Sequence, residues 1–114
     1  MKEPVRKLAL LAKSRGQEGP PGITRTTLSY DKDIMVCHFT MNKGAAIPLH
    51  DHQAAQSGYI ISGRVKFFRE DGSHFIAETG TGYTFSAWEK HGADVLEDSE
   101  VIEAFSPMRP EYGV

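Results

Sequence analysis

Apolar and polar positions alternate along this chain in short runs cut by turn residues. The clearest run is Ile34-Met35-Val36-Cys37-His38-Phe39-Thr40-Met41, where larger apolar side chains alternate with smaller or polar ones. A period of two is the mark of a strand with one buried face. Residues 23–30, 34–41, 59–61, 64–69, 74–77, 83–85, 93–96 and 100–105 read as strands. Asn42-Lys43-Gly44, Ser62-Gly63, Glu70-Asp71-Gly72-Ser73, Thr79-Gly80-Thr81-Gly82 and Glu97-Asp98-Ser99 read as the breaks between them. Turn signals recur about every eight to twelve residues and no long helical stripe is present, which predicts an all-β sandwich or barrel. Residues 5–14 fit a short helix or an edge strand equally well, and 15–22 read as a loop. Two prolines in 106–114 keep that tail out of a central strand.

A chain of 114 residues suits one domain with one core. Its expected parts are an N-terminal arm and loop over 1–22, with a possible edge strand in a dimer, a barrel over 23–109, and a tail over 110–114. The net charge of -2, with no basic stripe, argues against nucleic acid or an anionic membrane surface as a partner. The apolar stretch Leu8-Ala9-Leu10-Leu11-Ala12 is too short for a signal-peptide core or a membrane span, so the expected location is the cytoplasm. The single cysteine, Cys37, excludes an internal disulfide and reads as a buried, inert thiol.

The candidate chemistry centres on His50, His52, Gln56 and His91. In a strand, side chains at i and i+2 point the same way, so His50 and His52 can reach one ion from one face. Gln56 would come from the next strand or the bend before it, and His91 must be brought in by the fold. Imidazole suits divalent zinc, iron, nickel, copper and manganese, and an amide oxygen is a weak extra ligand. Gln56 has two readings: a direct ligand, or a hydrogen-bond partner of a metal-bound water beside a three-histidine site.

Glu103 is the only charge in Val101-Ile102-Glu103-Ala104-Phe105 and shares a strand face with Val101 and Phe105. If that face lines a barrel, Glu103 is a desolvated carboxyl near a metal and a candidate general acid/base. The other reading is an outward glutamate on an edge strand. Arg109, after Ser106-Pro107, can fork onto a substrate carboxylate or simply be a solvated tail residue. Trp88 and Tyr59 are candidate pocket residues, with core or interface roles as the alternative. Phe85 and Phe67 read as core or dimer interface. His38 shares parity with Val36 and Thr40 and is a candidate neighbour of the site.

Gly44, His50, His52, Gln56 and Gly63, followed by Gly80 and His91, together resemble the two sequence motifs of the cupins, with Gln56 in place of the usual glutamate. Ser86, Trp88 and Val95 depart from that pattern, where the family has proline, glycine and asparagine. The resemblance spans about residues 24–108 and implies a single-domain cupin, a small jelly-roll β-barrel with a metal inside one end. The ending from His91-Gly92-Ala93 through Glu103 and Phe105-Ser106-Pro107-Met108-Arg109 resembles the small pectin-degradation cupins, which linearise 4,5-unsaturated uronates.

That resemblance implies one divalent transition metal, whether zinc, nickel, iron or manganese, held by His50, His52, Gln56 and His91. It implies catalytic roles for Glu103, where the family usually has aspartate, and for Arg109. Substrate contacts would come from Phe105 and Arg109, joined by Trp88 and Tyr59. The partner would be a small molecule, a sugar acid, and the assembly a homodimer. The activity implied is that of a metal-dependent enzyme of the isomerase or lyase type. Two rivals use the same ligands: a non-haem iron dioxygenase of the three-histidine type, and a non-catalytic small-molecule-binding module.

Overall fold

In a computed structural model describing residues 5–114, the chain folds as an all-antiparallel jelly roll. Its strands are β1 (Gln17–Glu18), β2 (Ile23–Tyr30), β3 (Met35–Met41), β4 (Ala46–His50), β5 (Ala55–Arg69), β6 (His74–Glu78), β7 (Gly82–Phe85) and β8 (His91–Ser106). The two long strands organise everything else. β5 and β8 pair along almost their whole length, from Ala55 opposite Ser106 to Arg69 opposite His91. On its free edge β8 pairs β4 over its first half and β3 over its second. β5 in turn pairs β7 early and β6 late. Each long strand therefore serves two sheets, which close around one core.

A bulge makes this double service possible. Gln56 and Ile60 are the buried positions early in β5, whereas Val65 and Phe67 are buried late in it. The parity changes because the register of β5 against β8 shifts between Ile60 and Val65. Gly63 sits in that bulge at φ 107. A Cβ there would lie 2.2 Å from Ser99 Oγ, so the approach requires glycine. Ser99 Oγ accepts the Arg64 N–H at 2.9 Å and closes the irregularity.

This corrects the sequence reading at two points. Ser62-Gly63 and Glu97-Asp98-Ser99 were expected to end strands, yet β5 and β8 run through them. The two irregular stretches face each other, with Ser62 opposite Glu100 and Arg64 opposite Glu97, and together they form the bend. Residues 5–14 form neither a regular helix nor a strand. Arg6 makes one bridge to Tyr30, and Leu11–Lys13 make a single 3-10 turn with no buried residue. Without an apolar face to pack, so short a segment does not hold a helix.

The core is continuous. Met35, Cys37 and Phe39 of β3 lie beside their register partners Phe105, Glu103 and Val101 of β8 on its inner wall, and Met41, Val65 and Phe67 are buried in the same core. Phe67 and Phe85 are both buried in the core. His38 belongs to the other face of β3 and holds Glu100 Oε2 at 2.6 Å, away from the interior.

Candidate metal centre

His50 is the last residue of β4, and His52 lies just beyond the strand. The i, i+2 argument therefore applies at a strand end, where the loop must supply the second orientation. That loop is tied down by the Trp88 N–H, which donates to the His52 carbonyl at 2.8 Å. His91 opens β8 and is the cross-strand partner of His50. The fold thus brings the three histidines together, with ring centroids 4.5 Å (His50–His91), 5.2 Å (His52–His91) and 5.4 Å (His50–His52) apart.

Each ring is oriented by the same device. Nδ1 of His50 donates to the Pro48 carbonyl at 2.9 Å, that of His52 to Ala54 at 2.7 Å, and that of His91 to Glu89 at 2.7 Å. A carbonyl only accepts, so each Nδ1 carries the proton and each neutral ring keeps its Nε2 lone pair free. One nitrogen from each ring lies within 4.8 Å of the others, a spacing that could hold one metal ion. The Nε2 atoms of His52 and His91 are buried without any hydrogen-bond partner. A buried acceptor left unpaired costs about 1–3 kcal/mol, and a shared cation removes that cost.

Electrostatics favour the same use. Burial pushes His91 down to about 4, against the raising effect of its bond to the Glu89 carbonyl. His52 is lowered by burial first and by the Arg109 charge next. Both rings are neutral near pH 7 and ready to ligate. Phe85 stacks on His91 with centroids 4.3 Å apart and planes 4° from parallel, which fixes the ring further.

Gln56 is buried on β5, and its Nε2 donates to Glu103 Oε2 at 2.9 Å. Glu103 faces inward from β8, which is flanked on both sides and is not an edge. Its carboxyl is fully buried and also accepts the Tyr83 hydroxyl. Burial raises Glu103 above the usual carboxylate range, and the bonds from Tyr83 and Gln56 and the Arg109 charge only partly offset this.

Phe105 packs its ring 6.2 Å from that of His52. Arg109 lies over the Tyr112 ring at 4.1 Å and donates from one terminal nitrogen to the Tyr112 hydroxyl at 2.9 Å. A single cavity is lined by His50, Gln56, His91, Glu103, Phe105 and Arg109.

Two candidates lie elsewhere. Trp88 is 62% exposed and lines a separate surface hollow with Arg69 and Lys90. Tyr59 is 48% exposed, on the side of β5 that faces away from the interior, opposite Ile102. Neither lines the cavity of the histidines. Two residues were missed by the sequence reading, Tyr83 and Tyr112. Tyr83 shares parity with Phe85, a signal that it faces inward. Nothing in the tail pointed to Tyr112, which lines the cavity wall.

Residues 37–105 match the cupin-domain family. The chain belongs to the cupin family. Among solved structures, this cupin is similar to an RmlC-like cupin from Shewanella frigidimarina NCIMB 400, at 21% identity and TM-score 0.89, covering 96% of this chain and 99% of that one. It is similar to KdgF from Halomonas sp. at 29% identity and TM-score 0.83, covering 91% and 96%. The polyketide cyclase RemF from Streptomyces resistomycificus shares the fold at 16% identity and TM-score 0.75, covering 92% and 82%. No curated protein matches the sequence. Proteins of such different names on one fold mean that this cupin's function must be argued from its own site.

Proposed function

We propose that this cupin is a metal-dependent enzyme that linearises 4,5-unsaturated uronates. The observation that carries the reading is a buried carboxyl, Glu103, in one cavity with His50, His91 and Arg109, beside the three-histidine cluster. The likeness of its ending to the pectin-degradation cupins and the similarity to KdgF support it. His50, His52 and His91 would hold the ion, with the Gln56 amide oxygen as fourth donor. Four neutral donors leave the ion its full double charge, and when bound it supplies Lewis-acid polarisation of a substrate oxygen.

Arg109 holds the sugar carboxylate through its remaining N–H groups and orients the ring. Phe105 packs beside it and excludes water. Glu103 takes the proton of the anomeric hydroxyl as the bond from the anomeric carbon to the ring oxygen breaks. The electron pair stays on the ring oxygen, which takes the proton back from Glu103, and an aldehyde and an enol result. The enol then loses its hydroxyl proton and gains one at the adjacent carbon, giving the ketone, so atoms and charge balance. Burial raises the Glu103 carboxyl, which makes it a better proton acceptor than a solvated carboxylate. A homodimer working in the cytoplasm is part of the same reading.

Turnover of 4,5-unsaturated galacturonate and guluronate is followed by NMR with protein of known metal content. Glu103→Gln is expected to abolish acceleration, by at least about 100-fold, while metal content stays at the wild-type level. Full activity in that variant would remove Glu103 from the chemistry. Oxygen consumption by iron-loaded protein without uronate turnover would point instead to dioxygenase chemistry.

A further inference from the structure

Three residues in one row cross three strands: Tyr83 on β7, Gly58 on β5 and Glu103 on β8. Gly58 is the register partner of both Tyr83 and Glu103. A Cβ on Gly58 would lie 2.3 Å from both Cζ and the hydroxyl oxygen of Tyr83. The phenol therefore lies across the bare backbone of Gly58, and only this gap lets its hydroxyl reach Glu103. One carboxylate oxygen, Oε2, accepts from both the Tyr83 hydroxyl and the Gln56 Nε2.

This arrangement settles which way the Gln56 amide is turned. Only the NH2 end can donate to an accepting carboxylate oxygen, so Nε2 is committed to Glu103 and the carbonyl end is left for the histidines. Glu103 can hold the amide only while its own carboxyl is held. Tyr83 is the second anchor of that carboxyl and is itself buried in the aromatic core, 4.4 Å from the Phe67 ring centroid.

We propose that Tyr83 is a positioning residue for the metal centre, acting through Glu103 to turn the Gln56 amide oxygen toward the three histidine nitrogens. Without its hydroxyl the Glu103 carboxyl can rotate, and the amide loses its fixed sense. The inference rests on the metal reading with Gln56 as fourth donor, and not on the sugar chemistry.

The test is cobalt(II) affinity and visible d–d absorption of the whole chain, for wild type, Tyr83→Phe, Gln56→Ala and the double variant, with near-UV circular dichroism as the fold check. Tyr83→Phe is expected to weaken cobalt binding about tenfold, the size typical of partners behind a ligand, and to alter the spectrum. In the Gln56→Ala background the same change is expected to add nothing. Glu103→Leu removes the acceptor that both donors share, so it must reproduce the loss, and it carries the test if Tyr83→Phe does not fold. Unchanged affinity and spectrum in Tyr83→Phe overturns the inference. Equal losses in both backgrounds also overturn it, because they mark a general effect on the barrel. A wild type that binds no cobalt removes the metal reading and this inference together. Cobalt binding with no uronate turnover removes only the proposed reaction.

Discussion

Cys37 shows how far one residue's neighbours decide its chemistry. It has no exposed surface, and burial pushes its thiol up to about 11. A thiol so protonated is a poor nucleophile. Iodoacetamide at pH 8 is therefore expected to leave Cys37 unmodified in the folded protein and to alkylate it in urea, as read by mass spectrometry. In the proposed reaction Arg109 is the opposite case, a cation with a geometric task. Arg109→Lys keeps the charge but loses the fork, and it is expected to raise KM about tenfold with little change in kcat. A fall in kcat alone would give Arg109 a different role. At this scale His50, His52 and His91 were legible in the sequence as candidate ligands, because imidazole is a ligating group and their spacing puts two of them at one strand end. Tyr83 was not, because its meaning lies in what it touches across Gly58.

The elements carry two departures from regularity, and they differ in cost. Gly63 stands where both its φ and its contact with Ser99 exclude a side chain. Gly63→Ala is expected to cost about 3 kcal/mol in urea unfolding, from backbone strain and overpacking together. A loss below 1 kcal/mol would mean that the bulge tolerates a Cβ. Trp88 is the reverse, a bulky residue at φ 63 where the family pattern has glycine. Its ring is exposed, so little packing offsets the left-handed backbone. Trp88→Gly is expected to leave stability unchanged or raise it by up to about 1 kcal/mol. The same irregularities explain why strand limits were misread: a bulge and a turn use the same small residues, and only pairing across β5 and β8 tells them apart.

For the whole molecule, the buried histidines couple pH to stability. His91 and His52 have folded-state values below those of the unfolded chain. The unfolded chain then binds more protons in acid, so this stability is fully present above about 6.5. It is lost as pH falls from there through the folded value of His91, about 4. Chelator-treated protein is expected to show a Tm that declines across that window. Adding zinc at 100 times its Kd is expected to contribute about 2.7 kcal/mol at neutral pH. A flat Tm from pH 6.5 to 4, or no shift with zinc, would contradict the arrangement of the centre.

Among the described residues no helix is long and apolar enough to cross a membrane. The sequence by itself determined the strand class and the identity of the three histidines, since period-two alternation and residue type are local properties that one chain displays directly. The tertiary structure alone decided that β5 and β8 bend through their breaks, that Glu103 faces the histidines while Trp88 and Tyr59 do not, and that Tyr83 reaches Glu103. Each of these depends on register and on which face a long-range partner covers, and pairing between distant segments leaves no mark on the residues of either segment alone.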